Sequence, residues 1–207
     1  MVSRHRILLD SHAPLISDFW TWISIIAKDD GAFLGFDVAA WDLVEGALTP
    51  DLVAVPAGRR HERGMTWPDR RVLVELVVRM TAIRSIRWRV DEQRVLPVDT
   101  GWIERLEERH VYNFHCEMSI GDGWSDLIQS FVDLAGMPLP IFSQIKEKFG
   151  MLRAYSDGAI TPLADALVTA AEFISGTICE DCGRPGRRRQ RTWVATLCDE
   201  HSKVRLR

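Results

Sequence analysis

CEDCGRPGRRRQRTWVATLCDEH, residues 179–201, sets Cys179 and Cys182 two residues apart, runs fifteen residues on, and sets Cys198 and His201 two apart again. That double spacing is a zinc-ligand pattern. A Cys-x2-Cys turn points two thiolates at one ion, and a Cys with a His three later share one face of a first helical turn. Sulfur and imidazole donors suit Zn2+ over Mg2+ or Ca2+, with Fe2+ a minor competitor. Four protein ligands close the coordination sphere, so the expected role of the metal is structural. RTWVATL, residues 191–197, reads as a strand ending a hairpin. Knuckle, hairpin and ligand-bearing short helix together predict a treble-clef-like zinc finger over 179–207. An HNH-type nuclease on that scaffold would need a general-base histidine on the hairpin, and the hairpin has none.

Five arginines stand between the two ligand pairs: Arg184, Arg187, Arg188, Arg189 and Arg191, with Trp193 beside them. Such a cluster can contact phosphates and stack on a base. It can equally be a solvated loop that meets a protein partner or the chain's own acidic middle. Residues 101–178 carry 5 basic against 11 acidic residues, a net of −6, whereas 179–207 carry 8 against 4, a net of +4. The whole chain is acidic at −3. A protein partner is therefore favoured over nucleic acid.

Working outward, the 207 residues are 46% hydrophobic with eight tryptophans, an ordinary composition for a folded soluble protein. Apolar runs are too short to span a membrane, Asp10 interrupts any apolar leader, and cysteines at metal-like spacing suit a reducing compartment. A cytoplasmic protein is expected. The fold class expected is α+β: a mainly helical part over 1–97, an α+β module over 98–178 with a hairpin near 142–156, and the zinc element over 179–207 packed on that module.

Local patterns fill this frame. Ser11 and Pro14 suggest a helix start, with Leu15, Ile16, Phe19, Trp20, Ile23 and Ile26 at helical spacing to about Lys28. Asp37–Ala47 reads as a second short helix, Thr49–Pro68 as a loop with a possible strand at Leu52–Val55, and Pro68 opens a further helix. SIRWRV, residues 85–90, alternates like a half-buried strand. Asp99–His110 looks helical and 111–120 strand-like. Asp122 is a candidate N-cap and Gly136 a helix stop for the segment between them. Phe142–Lys148 and Met151–Ser156 form a hairpin about Phe149-Gly150, and Thr161-Pro162 begins a helix through Ser175.

Other chemistry is thin. His115 and Cys116 are strand neighbours on opposite faces, so they make no nucleophile pair. His110 near a helix end complements its dipole. No phosphate loop, nucleophile elbow or HExxH pattern is present.

GDGW (121–124), QIKEKFGMLRAY (144–155), AEFIS (171–175) and the CxxCG…CxxH element resemble, in order and spacing, a group of small bacterial and prophage-encoded proteins. The resemblance covers about 117–201 and implies a shared zinc-bearing α+β module with Cys179, Cys182, Cys198 and His201 on the metal. The expectation is a non-enzymatic, zinc-stabilised binding protein that blocks or regulates a macromolecular partner, as anti-defence inhibitors and toxin-immunity proteins do. The alternative is a nucleic-acid-binding regulator using the arginine hairpin; a metal-dependent hydrolase ranks third.

Overall fold

The computed structural model describes residues 4–62, 65–110, 116–135, 142–190 and 193–204. The fold is mixed α+β and divides into two compact units, Met1–Leu96 and Pro97–Arg207.

The first unit runs α1 (Arg4–Ile26), β1 (Asp37–Val44), β2 (Ala47–Val53), β3 (Arg59–Glu62), β4 (Met65–Asp69), α2 (Arg70–Ile86), β5 (Trp88–Arg89) and β6 (Arg94–Val95). Successive strands pair as three antiparallel hairpins, and α2 packs on α1, β2 and β4. Leu15, Phe19, Trp22, Ile23 and Ile26 form the buried stripe of α1, against Leu73, Val74, Leu76, Val77 and Met80 of α2. Each fully buried side chain of this kind contributes about 1.5–3 kcal/mol. Asp69 caps α2 by accepting the Arg71 N–H at 2.9 Å, and Asp30 takes the Arg70 guanidinium at 2.7 Å.

Four local expectations fail here for identifiable reasons. The helix expected over Asp37–Ala47 is the β1–β2 hairpin instead. Glu45 and Gly46 both take positive φ, the primed turn that lets two strands pair without splaying, and most of the expected loop is strand. α1 begins at Arg4, so Ser11 is no cap: its hydroxyl donates to the Leu8 carbonyl at 3.1 Å, and Pro14 lies inside the helix. The strand expected over residues 85–90 shrinks to Trp88–Arg89, because α2 continues through Ile86. Trp88 is buried and its indole N–H donates to the Ser11 carbonyl at 3.0 Å.

The second unit runs α3 (Trp102–Arg109), β7 (Glu117–Ser119), α4 (Ser125–Ala135), β8 (Phe142–Lys148), β9 (Met151–Ser156), α5 (Pro162–Ser175), β10 (Arg187–Arg189), β11 (Ala195–Leu197) and α6 (Asp199–Val204). A three-stranded sheet has the order β7-β8-β9, with β7 parallel to β8 and β9 antiparallel. The 142–156 hairpin and the helix from Thr161-Pro162 to Ser175 stand where the sequence puts them, and Thr161 caps α5 by accepting the Ala164 N–H at 3.1 Å. Trp124, Leu127, Ile128 and Phe131 meet Leu167, Ala171 and Ile174 in the core, and Phe131 packs edge-on to Phe142. Ser175, fully buried, accepts the Leu152 N–H at 2.8 Å and so ties α5 to β9.

Asp122 does not cap α4. A turn of 3-10 helix over Asp122–Trp124 precedes it, and the Asp122 carboxylate accepts the Trp102 indole N–H at 3.0 Å. His110 reaches further than a helix-dipole role requires: its Nε2 hydrogen-bonds Asp133 at 2.9 Å. Gly136, His115 and the first half of the expected 111–120 strand lie outside the described residues, and the described half holds β7. Cys116 is half-buried, and burial pushes its thiol up to about 12, away from the reactive thiolate. No described helix is long and apolar enough to cross a membrane.

Candidate metal centre

The C-terminal segment folds in the order knuckle, hairpin, short helix. Cys179–Cys182 form a tight turn closed by Gly183 N–H to Cys179 O and Cys179 N–H to Arg184 O, both 2.8 Å, with Gly183 at φ +76°. β10 and β11 pair antiparallel and deliver Cys198, after which α6 carries His201. All four donor atoms lie within 4.8 Å of one another. Zinc–ligand lengths of about 2.3 Å to sulfur and about 2.05 Å to nitrogen, at tetrahedral angles, require ligand–ligand edges of about 3.8 Å (S–S) and about 3.6 Å (S–N). Cys182 and Cys198 sulfurs stand 3.9 Å apart, and His201 Nδ1 is 3.4 and 3.5 Å from the sulfurs of Cys179 and Cys198. The four residues can hold a metal ion such as zinc, with Nδ1 as the imidazole donor.

The sulfurs are set in a polar backbone cage. The His201 N–H donates to Cys198 Sγ at 3.4 Å. A hydrogen bond with Cys182, then burial, pushes the Cys179 thiol up to about 12. The same contact lowers Cys182 to about 7, assisted by the Arg184 backbone and guanidinium. Arg184 is thus a direct neighbour of a ligand sulfur, the outer-shell kind of contact that orients ligands and tunes a site.

What holds the knuckle is the least expected part of the centre. The Gly123 N–H donates to Glu180 O at 2.8 Å, and the Trp124 indole donates to Ile178 O at 3.0 Å. A Cβ added at Gly123 would stand 2.1 Å from Cys179 O and 2.5 Å from Gly183 N; one at Gly121 would stand 2.1 Å from Glu180 O. GDGW is therefore a platform on which the ligand turn lies backbone to backbone. On the far side, Glu180 N–H donates to Thr196 O at 3.0 Å, and the Thr196 hydroxyl donates to the Gly150 carbonyl of the β8–β9 turn. The GDGW, FG and CxxCG motifs, scattered through some sixty residues of sequence, converge on one metal knuckle. The two glycines of GDGW carry the signal, since only a residue without Cβ allows such close approach.

The arginine cluster turns inward more than outward. Arg189 and Arg187 both reach Asp199, lowering its carboxyl below the usual range, and Arg184 pairs with Glu200. These acids lie between the ligands Cys198 and His201, not in the acidic middle segment. Arg188 points to the opposite face of the hairpin and is exposed, with no partner among the described residues. Trp193 is 67% exposed, its indole N–H donating to Glu147 at 2.9 Å. Arg191 lies outside the described residues. No protein-family model, curated protein or solved structure matches this chain.

Proposed function

We propose that this is a non-enzymatic binding protein of the cytoplasm whose zinc ion is structural, and that it acts by occupying and blocking a protein partner. The observation that carries the reading is the closed four-donor cage, welded by main-chain contacts to two other motifs of its unit. A zinc ion with four protein ligands has no open position for water or substrate, and its binding energy goes into folding. The resemblance to prophage-type proteins favours a partner in host machinery or a toxin, in the manner of an anti-defence inhibitor or immunity protein. A nucleic-acid regulator draws support from exposed Arg188 and Trp193, but three of the cluster's guanidiniums are already engaged by carboxylates. The test has two arms. Purified protein contains one zinc per chain by mass spectrometry, and Cys198→Ser unfolds the C-terminal unit. Crosslinking in its native host recovers a stoichiometric protein complex, while titration with DNA and RNA at low salt, where phosphate contacts are strongest, gives no binding. Tight low-salt nucleic-acid binding without a protein complex overturns the reading, as does activity lost in Cys198→Ser with the fold intact.

A further inference from the structure

On the reading as a binding protein, the geometry points to the tip formed by Phe149, Lys148, Arg188 and Trp193 as the contact surface, with an acidic, apolar-anchored segment of a partner protein as its occupant.

Four observations place these residues together. Phe149 and Gly150 form the β8–β9 turn with φ of +56° and +75°, a primed turn whose first position favours asparagine and penalises a bulky side chain. The ring is 57% exposed, so burial offsets little of that cost. Trp193 comes to the same place from the zinc hairpin: one Glu147 carboxylate accepts both its indole N–H at 2.9 Å and the Gly150 N–H. Arg188 stands opposite Thr196 in the β10–β11 register, so its side chain leaves the hairpin on the face that meets Gly150 through the Thr196 hydroxyl.

Charge decides the occupant. Elsewhere on the zinc element Arg184, Arg187 and Arg189 meet their own acids, but at this tip Lys148 lies over the Phe149 ring and Arg188 has no carboxylate among the described residues. Glu147, the acid on hand, is used by the turn and the indole. Two exposed aromatics beside cations that no described carboxylate pairs with fit the anchors of a protein interface, where tryptophan and arginine dominate binding, facing a partner rich in Asp and Glu around apolar side chains. Among the described residues the tip offers two cations, fewer than the salt-driven footprint of nucleic acid uses. Strain held at a solvent-facing turn fits a residue kept for contact rather than for stability.

The test uses the full zinc-loaded chain and three fluorescent probes: dodecapeptides alternating Asp or Glu with Leu and Phe, the same peptides with Lys or Arg as the charged residue, and a twelve-nucleotide oligothymidylate. The acidic peptides are expected to bind and shift Trp193 emission, with affinity falling as salt rises. Phe149→Asn and Trp193→Ala should each weaken binding at least tenfold, and Lys148→Glu with Arg188→Glu should abolish it. Phe149→Asn places the preferred residue in the turn, so its melting temperature should not fall and lost binding cannot be ascribed to misfolding. Equal binding of basic peptides, tighter binding of oligothymidylate, no binding of any probe, or unchanged affinity in Phe149→Asn and Trp193→Ala each overturns the assignment. A native protein complex that survives Phe149→Asn and Trp193→Ala overturns this surface alone and leaves the binding function standing.

Discussion

Replacing Gly123 with alanine tests whether GDGW is a platform for the metal knuckle or merely a helix start. The new Cβ would lie 2.1 Å from Cys179 O, 2.5 Å from Gly183 N and 2.7 Å from Glu180 O. A comfortable carbon–oxygen separation is about 3.4 Å, so the two backbones must part by roughly 1 Å. Metal–ligand lengths tolerate only about 0.2 Å, and the part of the chain that must move carries Cys179. Overpacking of this sort costs about 1–3 kcal/mol, and losing the Gly123 to Glu180 hydrogen bond adds about 1 kcal/mol. Outer contacts of a metal site are commonly worth about 10–100-fold in metal affinity. Gly123→Ala is therefore expected to weaken zinc affinity by at least about tenfold in competition with a chromogenic chelator, and to lower the melting temperature of the C-terminal unit. Gly176→Ala is the control, because its Cβ meets nothing closer than 3.5 Å at an ordinary φ of −64°. Zinc affinity in Gly123→Ala within threefold of the Gly176→Ala value would refute the platform.

Excess chelator should abolish the near-ultraviolet signal of the C-terminal unit in the same transition that releases zinc, since a structural metal's binding energy is folding energy; metal loss with an unchanged spectrum would count against a structural role. Ser175→Ala should cost about 1–3 kcal/mol in denaturant melts, because it strips the buried Leu152 N–H of its acceptor. Asp18, buried beside Arg84 at 3.2 Å, has its carboxyl pushed up by burial from 3.8 to about 6, with the arginine charge opposing. The folded form then holds a proton that the unfolded chain releases. Stability of the N-terminal unit falls as pH rises from about 4 to about 6, by up to about 3 kcal/mol. Burial lowers the His12 value and works in the opposite sense, so the difference between wild type and Asp18→Asn isolates the carboxylate. A difference that stays constant across that window would refute the Asp18 assignment.

The candidate ligands were legible because metal chemistry restricts both residue type and spacing, and the two pairs at 179/182 and 198/201 satisfy it locally. Elements with complete local signals were legible too: α5, with its Thr-Pro start, and the 142–156 hairpin. The misreadings share a cause. Around Trp41 the apolar residues fit both helical and alternating templates, and a short run cannot separate them. What decides is pairing with Ala47–Val53, which buries Trp41 and Leu48. Ser11 offered a cap, but a helix whose buried stripe packs on α2 extends through it, and tertiary burial outweighs a single cap.

The sequence by itself determined which four residues can hold a metal and the α+β succession of the second unit, because each follows from chemistry or periodicity within a few residues. Only the tertiary structure decided what those ligands rest on and where the arginines go. Both depend on approaches between residues distant in the chain: Gly123 to Cys179, Thr196 to Gly150, Trp193 to Glu147. Arg187 and Arg189 turn to Asp199 because the β10–β11 register sends alternate side chains to one face, leaving Arg188 on the other. A string of five identical charges carries no information about that division until the strand is paired.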